Sequence, residues 1–377
     1  MRVVRRGPTV ACLAALALLG VACSSAISHS NGAPRTTNAN QSSLPELPAG
    51  CPDASPSPAA APIAFAAGGR AWAASADGRR VWCLFEVASP GPFLWGPRGD
   101  RVVLGGLEVR GVGVPINRPP LSIVPVSLAW IGAGGDGIAF VPPGGLNLES
   151  ADLGSGGLRE LTPLRGASYR SVASHPSGRT LAFAVDHGTA AEIWLSTSDG
   201  TGAVRLTGAE RPTRLGPLTF SISGKALYYG VRLPDGTRRV DVWSLAEARR
   251  LEPAWTGRRD VQAIVPRRDL PGGELAVDVG AGCRDRQAIL TEPGGGSGRL
   301  LLPQATRPTS AIGWLDSHRV LVAEGSCDGP ADLWTADTAG GAPRLLARNV
   351  DRAGLRRPDP RPAPAPPDLA RFTKVSG

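Results

Sequence analysis

From residue 61 onward the chain alternates short apolar runs with polar segments rich in Gly, Pro and Ser. The runs are too short for helices and too rich in Val, Ile and aromatic residues for loops, so each predicts a strand bounded by turns. Their centres fall at Ala64, Val103, Ala139, Ala182, Tyr228, Ala276 and Leu321, separated by 36 to 48 residues. A regular period of that size means that one supersecondary unit is being repeated.

The clearest unit begins with the turn Ser174-His175-Pro176-Ser177-Gly178-Arg179 and the apolar strand Thr180-Leu181-Ala182-Phe183. It continues with the strand Ala191-Glu192-Ile193-Trp194-Leu195, an Asp199-Gly200 turn and a final strand, Ala203 to Thr207. The unit returns as Ser221 to Tyr229 with Val240-Asp241-Val242-Trp243, and again as Trp314 to Val322 with Ala331-Asp332-Leu333-Trp334. Trp194, Trp243 and Trp334 occupy equivalent places, and with Phe183 they are expected to form the repeat core, packed between neighbouring units rather than stacked on a ligand. Weaker copies start at Trp95, Trp130 and Pro271, and a partial one at Ile63.

Four strands per unit at this period predict an all-β fold, a β-propeller of seven four-stranded blades, or six if a weak copy is not a full sheet. The first copy starts at what should be its second strand. The ring is therefore expected to close on a strand from the other end of the chain, with Arg371-Phe372-Thr373-Lys374-Val375 as the candidate.

These residues resemble the WD40-like, TolB-type propeller repeat of bacterial exported proteins, whose pattern runs Ser-Pro-Asp-Gly, an apolar strand ending in Phe, a strand carrying Ile-Trp or Ile-Tyr, a Gly-Gly turn, and Leu-Thr. The resemblance spans about residues 61–350, and residues 175–207 match best. The Pro-Asp-Gly element is eroded here to Pro-Ser-Gly, Pro-Arg-Gly or Ile-Ser-Gly. It therefore implies the fold and no particular activity, since propellers host enzymes, receptors and scaffolds alike.

The amino-terminal pattern differs from the rest. Met1, Arg2, Arg5 and Arg6 precede the uncharged run Val10 to Ala22, which is shorter than the ~20 residues a spanning helix needs and reads as a secretion signal. Leu19-Gly20-Val21-Ala22-Cys23 resembles a bacterial lipobox, although Leu19 stands one position early; cleavage elsewhere is the alternative. The resemblance implies residues 1–22 as a lipoprotein signal peptide and Cys23 as the lipidated (palmitate-bearing) terminus. Residues 23–60, dominated by Ser, Asn, Pro, Ala and Thr, cannot bury enough apolar surface to order themselves and read as a membrane tether. Residues 61–350 are the propeller, and residues 351–377 a tail rich in Pro and Arg that holds the expected closing strand.

The formal charge of +9 includes three arginines of the signal, leaving +6 after its removal (9 − 3). The remaining arginines are spread along turns and tail with no basic stripe interleaved with aromatics, so nucleic acid is not expected as a partner. Beyond Cys12 and Cys23, four cysteines remain. In an exported domain they suggest two disulfides with three pairings open in principle. The blade layout favours Cys51 with Cys83, clamping the tether onto the first blade, and Cys283 with Cys327, stapling neighbouring blades.

No Gly-x-Ser-x-Gly elbow, no metal-ligand spacing and no phosphate loop is present, so no catalytic residue, metal or cofactor is expected. His175, His187 and His318 read as exposed turn or loop residues, and Asp77, Asp199 and Asp235 as turn formers. Glu108, Asp186, Asp278, Glu324 and Asp328 all follow second strands, so they face one end of the ring if the copies are in register. The expected function is a lipid-anchored module of the cell envelope, facing outside the cytoplasm, that binds an envelope protein or wall-associated ligand. The alternative is a lyase or hydrolase acting on a polysaccharide or lactone through those carboxylates.

Overall fold

The computed structural model of the protein describes residues 61–87, 93–104, 107–111, 117–118, 123–187, 190–206, 212–267, 273–291, 296, 298–326, 329–355 and 364–372. Among them the regular structure is almost wholly β, with a 3₁₀ turn at Leu369–Arg371 and no α-helix.

The strands form seven separate antiparallel sheets. Blade 1 contains β1 (Ile63–Ala67), β2 (Arg70–Ala74) and β3 (Val81–Glu86). Blade 2 follows with β4 (Leu94–Trp95), β5 (Arg101–Leu104), β6 (Glu108–Gly111) and β7 (Asn117–Arg118). Blade 3 has β8 (Ser127–Ile131), β9 (Gly137–Val141), β10 (Glu149–Asp152) and β11 (Leu158–Glu160). Blade 4 has β12 (Ser168–Ser174), β13 (Thr180–Asp186), β14 (Ala191–Thr197) and β15 (Val204–Arg205). Blade 5 has β16 (Arg214–Phe220), β17 (Ala226–Arg232), β18 (Arg238–Ser244) and β19 (Arg249–Arg250), with β20 (Trp255–Gly257) also pairing with β18. Blade 6 has β21 (Val261–Pro266), β22 (Leu275–Val279), β23 (Gln287–Leu290) and β24 (Arg299–Leu300). Blade 7 has β25 (Thr309–Trp314), β26 (Arg319–Gly325), β27 (Ala331–Asp337) and β28 (Arg344–Val350).

One further strand, β29 (Arg352–Leu355), pairs antiparallel with β1 and completes blade 1 from the other end of the chain, in the register Ile63 to Leu355 and Ala64 to Gly354. The borrowed strand anticipated from the sequence is therefore real, but it precedes the Pro-rich tail instead of following it. Arg371 and Phe372 belong to the end of the 3₁₀ turn, and 373–375 lie outside the described residues. Phe372 is buried among residues of blades 4 and 5.

Every centre read from the sequence lies in the second strand of its sheet. These strands are covered on both faces by neighbouring blades, so their burial is continuous along β5, β9 and β22 rather than alternating. Seven buried apolar clusters, one at each junction from blades 1 and 2 around to blades 7 and 1, close the ring. The outermost strands are two or three residues long in blades 2 to 6, and β11 and β19 are exposed throughout. Such short outer edges give a second chain little backbone to pair with.

Trp194, Trp243 and Trp334 stand on the third strands of blades 4, 5 and 7. Trp243 is buried between blades 4 and 5, and the other two are partly buried at the junctions of blades 3 with 4 and 6 with 7. Phe183 is fully buried in the core between blades 3 and 4.

Candidate functional site

The first strand of each blade faces the axis, and two concavities open along it. At the ends of these inner strands, residues from all seven blades line a space of about 550 Å³, walled mainly by apolar groups that include Trp95, Trp130, Phe220 and Trp314. At their beginnings, residues of blades 3 to 6 line a second space of about 510 Å³ with a different chemistry: Arg170, Arg214, Arg232, Arg238 and Asp260, with Ser127, Ser171 and Gln262 between them. Both volumes fall within the ~300–1,000 Å³ of small-ligand sites.

Hairpin register builds the basic end. β17 and β18 are joined through Leu233 to Thr237, and their pairing sets Arg232 opposite Arg238. On its other side β17 sets Arg232 opposite Arg214 of β16. Arg170 comes from blade 4, at the bulge between Tyr169 and Ser171 where β12 slips against β13. Its Nε donates to Asp186 Oδ2 at 2.6 Å, while Arg238 pairs with Asp260. Blade-to-blade bonds brace the wall: the Ser171 hydroxyl donates to Gly216 O at 3.3 Å and Val172 N donates to Ser127 Oγ at 3.1 Å. The sequence reading took the arginines as dispersed over turns; four of them meet at this channel mouth, which is a correction. Arg232 and Arg238 flanking a Pro-Asp-Gly hairpin was the signal available for it.

The five carboxylates expected to share one end of the ring do not form a cluster. Glu108 bonds Arg110 at 2.5 Å. Glu324 accepts from Thr306 N at 3.1 Å and lies 3.9 Å from Arg307. Asp278 is buried between blades 6 and 7 and accepts from Ala311 N at 2.7 Å; burial pushes its carboxyl up to about 7. Asp186 reaches the channel mouth through its ion pair, and Asp328 lies outside the described residues. No group of three or more His, Cys, Asp or Glu side chains that could hold a metal ion occurs among the described residues.

His175 is 2% exposed, not the solvated turn residue that its Pro-Ser-Gly setting suggested. Its Nδ1 accepts from Ser177 N at 3.1 Å, which places the proton on Nε2, and Nε2 donates to Gly224 O of blade 5 at 3.2 Å. The ring meets Phe220 edge-on, and burial holds its pKa below the ordinary imidazole value. His187 stays largely exposed, 3.7 Å from Glu192. His318 sits in a turn and donates its backbone N–H to Asp316. Asp77, Asp199 and Asp235 each accept a backbone N–H two residues on, from Arg79, Thr201 and Thr237, as turn formers do.

Cys83 lies in β3 and Cys283 in the loop between β22 and β23. Cys23, Cys51 and Cys327 lie outside the described residues, so the lipidation site and the pairing do too. No described helix is long and apolar enough to cross a membrane.

No family model matches the sequence, and no curated protein matches it either. Solved structures do match. A prolyl endopeptidase is 11% identical with a TM-score of 0.52, covering 79% of this chain and 51% of that one. TolB from Acinetobacter baumannii is 14% identical with a TM-score of 0.45 over 78% of this chain and 66% of its own. A TolB-like protein of Agrobacterium tumefaciens is 11% identical with a TM-score of 0.44 over 76% and 88%. The chain thus spans about half of the prolyl endopeptidase and about two thirds of the first TolB. At these identities the likeness concerns the fold, and the fold is a seven-bladed β-propeller.

Proposed function

We propose that the protein is a binding module of the cell envelope whose ligand enters the central channel at the end where the inner strands of blades 3 to 6 begin. The observation that carries this reading is the 510 Å³ concavity with its four converging arginines, held on a scaffold whose strands are locked by seven interblade cores. A rigid toroid presenting one polar, charged cavity is suited to recognition. The alternative, hydrolysis or lysis of a polysaccharide or lactone by loop carboxylates, is less well supported, since Glu108, Asp278 and Glu324 are each engaged separately.

The location is part of the same proposal. The basic start, the short apolar run and the lipobox-like Leu19 to Cys23 favour export and acylation at Cys23, with residues 24–60 as tether. The blade layout favours disulfides of Cys51 with Cys83 and of Cys283 with Cys327, which would fit an oxidising compartment.

A photo-crosslinking amino acid at Gln262, in the channel wall, tests the site against the same probe at Leu158, exposed on the outer strand of blade 3. Reproducible capture of one partner from Gln262 and not from Leu158 is expected. Equal capture at the two positions, or none at Gln262, overturns the channel reading.

A further inference from the structure

We propose that Arg214 and Arg232 form the anchor for a carboxylate of a small acidic peptide bound at the channel mouth. This rests on the channel reading above and names the chemistry of its ligand.

Register comes first. Arg214, Arg232 and Arg238 lie in one row across three neighbouring strands, each directly opposite the next. Like charges placed directly opposite across an antiparallel pair destabilise the sheet. Arg238 is answered by Asp260, and the remaining repulsion between the exposed Arg214 and Arg232 is one that a bound anion would relieve.

The protein supplies only part of the offsetting negative charge. Arg238 has Asp260, and Arg170 has Asp186. Neither Arg214 nor Arg232 has a carboxylate partner among the described residues. Four guanidinium groups against two carboxylates leave two positive charges (4 − 2) in one concavity.

The floor beneath them is closely packed, and two glycines let blade 6 approach it. A Cβ on Gly216 would come 3.3 Å from Val261 O, and one on Gly230 would come 3.1 Å from Val261 Cβ. Leu215, Leu218 and Val261 supply apolar wall. Gln262 gives its amide nitrogen to Gly280 O at 2.9 Å, so its carbonyl oxygen is left as an acceptor for a ligand N–H. Alternating apolar wall and amide acceptor suits a short peptide. The guanidinium fork matches a planar two-oxygen anion, and the neighbouring Arg170 and Arg238 each already pair with a carboxylate through Nε.

Calorimetric titration of the full-length chain with the tripeptide Ala-Val-Glu tests the assignment. Binding by the unsubstituted protein is expected, weakened about tenfold or more in R214Q/R232Q. R258Q, outside the cavity, should bind as the unsubstituted protein does, and thermal melts of both variants check that the ring is intact. Equal affinity in the double variant, or no binding by the unsubstituted protein, overturns the proposal. Displacement of the tripeptide by equimolar inorganic phosphate also overturns it, assigning the pair to phosphoryl groups instead. If crosslinking through Gln262 captures a partner while the tripeptide fails, the channel reading survives and the carboxylate assignment alone falls.

Discussion

His175 and Asp278 are buried titratable groups whose pKa values are displaced so that each favours the neutral form, and they respond to pH with opposite signs. The neutral imidazole satisfies both ring nitrogens, whereas a proton on Nδ1 would face the Ser177 N–H. Its pKa is lowered from 6.5, so below pH 6.5 the unfolded chain takes up a proton that the folded one refuses, and stability falls as pH falls. Asp278 is raised from 3.8 to about 7, so between those values the folded state holds the extra proton and stability falls as pH rises. Asp278→Asn keeps an oxygen to accept from Ala311 N and removes the ionisation. In denaturant melts it should match or fall slightly below the unsubstituted protein at pH 5. At pH 8 it should exceed it by roughly 1–3 kcal/mol. A difference that does not change with pH would show that Asp278 does not titrate in the folded range.

The turns between first and second strands connect one element to the next around the ring. Gly132 N donates to Gly178 O at 2.8 Å, His175 reaches Gly224 O, and Arg101 Nη1 reaches Gly135 O at 3.1 Å. Gly178 has φ +69, and a Cβ there would sit 2.1 Å from Gly132 O; Gly144 has φ +91 with nothing within 4 Å. Gly178→Ala should therefore cost roughly 2–4 kcal/mol, strain plus a broken junction, against about 1 kcal/mol of strain for Gly144→Ala. Chemical denaturation of the two variants measures the difference, and equal losses would mean the junction carries no stability.

These contacts also mark what the sequence could disclose. The second strands were legible because burial on both faces writes an unbroken apolar run, and the Gly178 and Gly224 turns because positive φ demands glycine there. The burial of His175 was not legible: its partner lies 49 positions away, and a Pro-Ser-Gly setting looks the same whether or not another blade covers it. Arg-Ala-Gly-Leu of β29 carries no apolar signature, since an inner strand is held by backbone pairing to β1 and by close approach, as where Gly354 nears Phe93 O. The arginine row was half visible. Arg232 opposite Arg238 follows from the hairpin between them, but Arg214 reaches Arg232 only through the register shift between Leu215 and Leu218.

At the scale of the whole molecule, seven sheets share seven junctions, and no blade is capped by a polar outer face, as the end of an open repeat array would be. Closing the ring takes the place of capping. Truncation after Val350 removes β29, leaves the inner edge of β1 unpaired and uncovers the junction of blades 7 and 1, where Ala353 and Leu355 pack. The truncated protein should lose its single cooperative melt and aggregate, followed by calorimetry and light scattering. A sharp transition near that of the full chain would mean that β29 is dispensable to closure.

The strand that finishes blade 1 is also synthesised after every other described strand of the ring. Until residues 352–355 have emerged, β1 through β3 can form at most a three-stranded sheet with an open backbone edge, and the circle has no lock. The complete ring is thus withheld from a growing polypeptide until all seven blades have been made. A chain with that timing stays an open ring until residues 352–355 are free to reach β1.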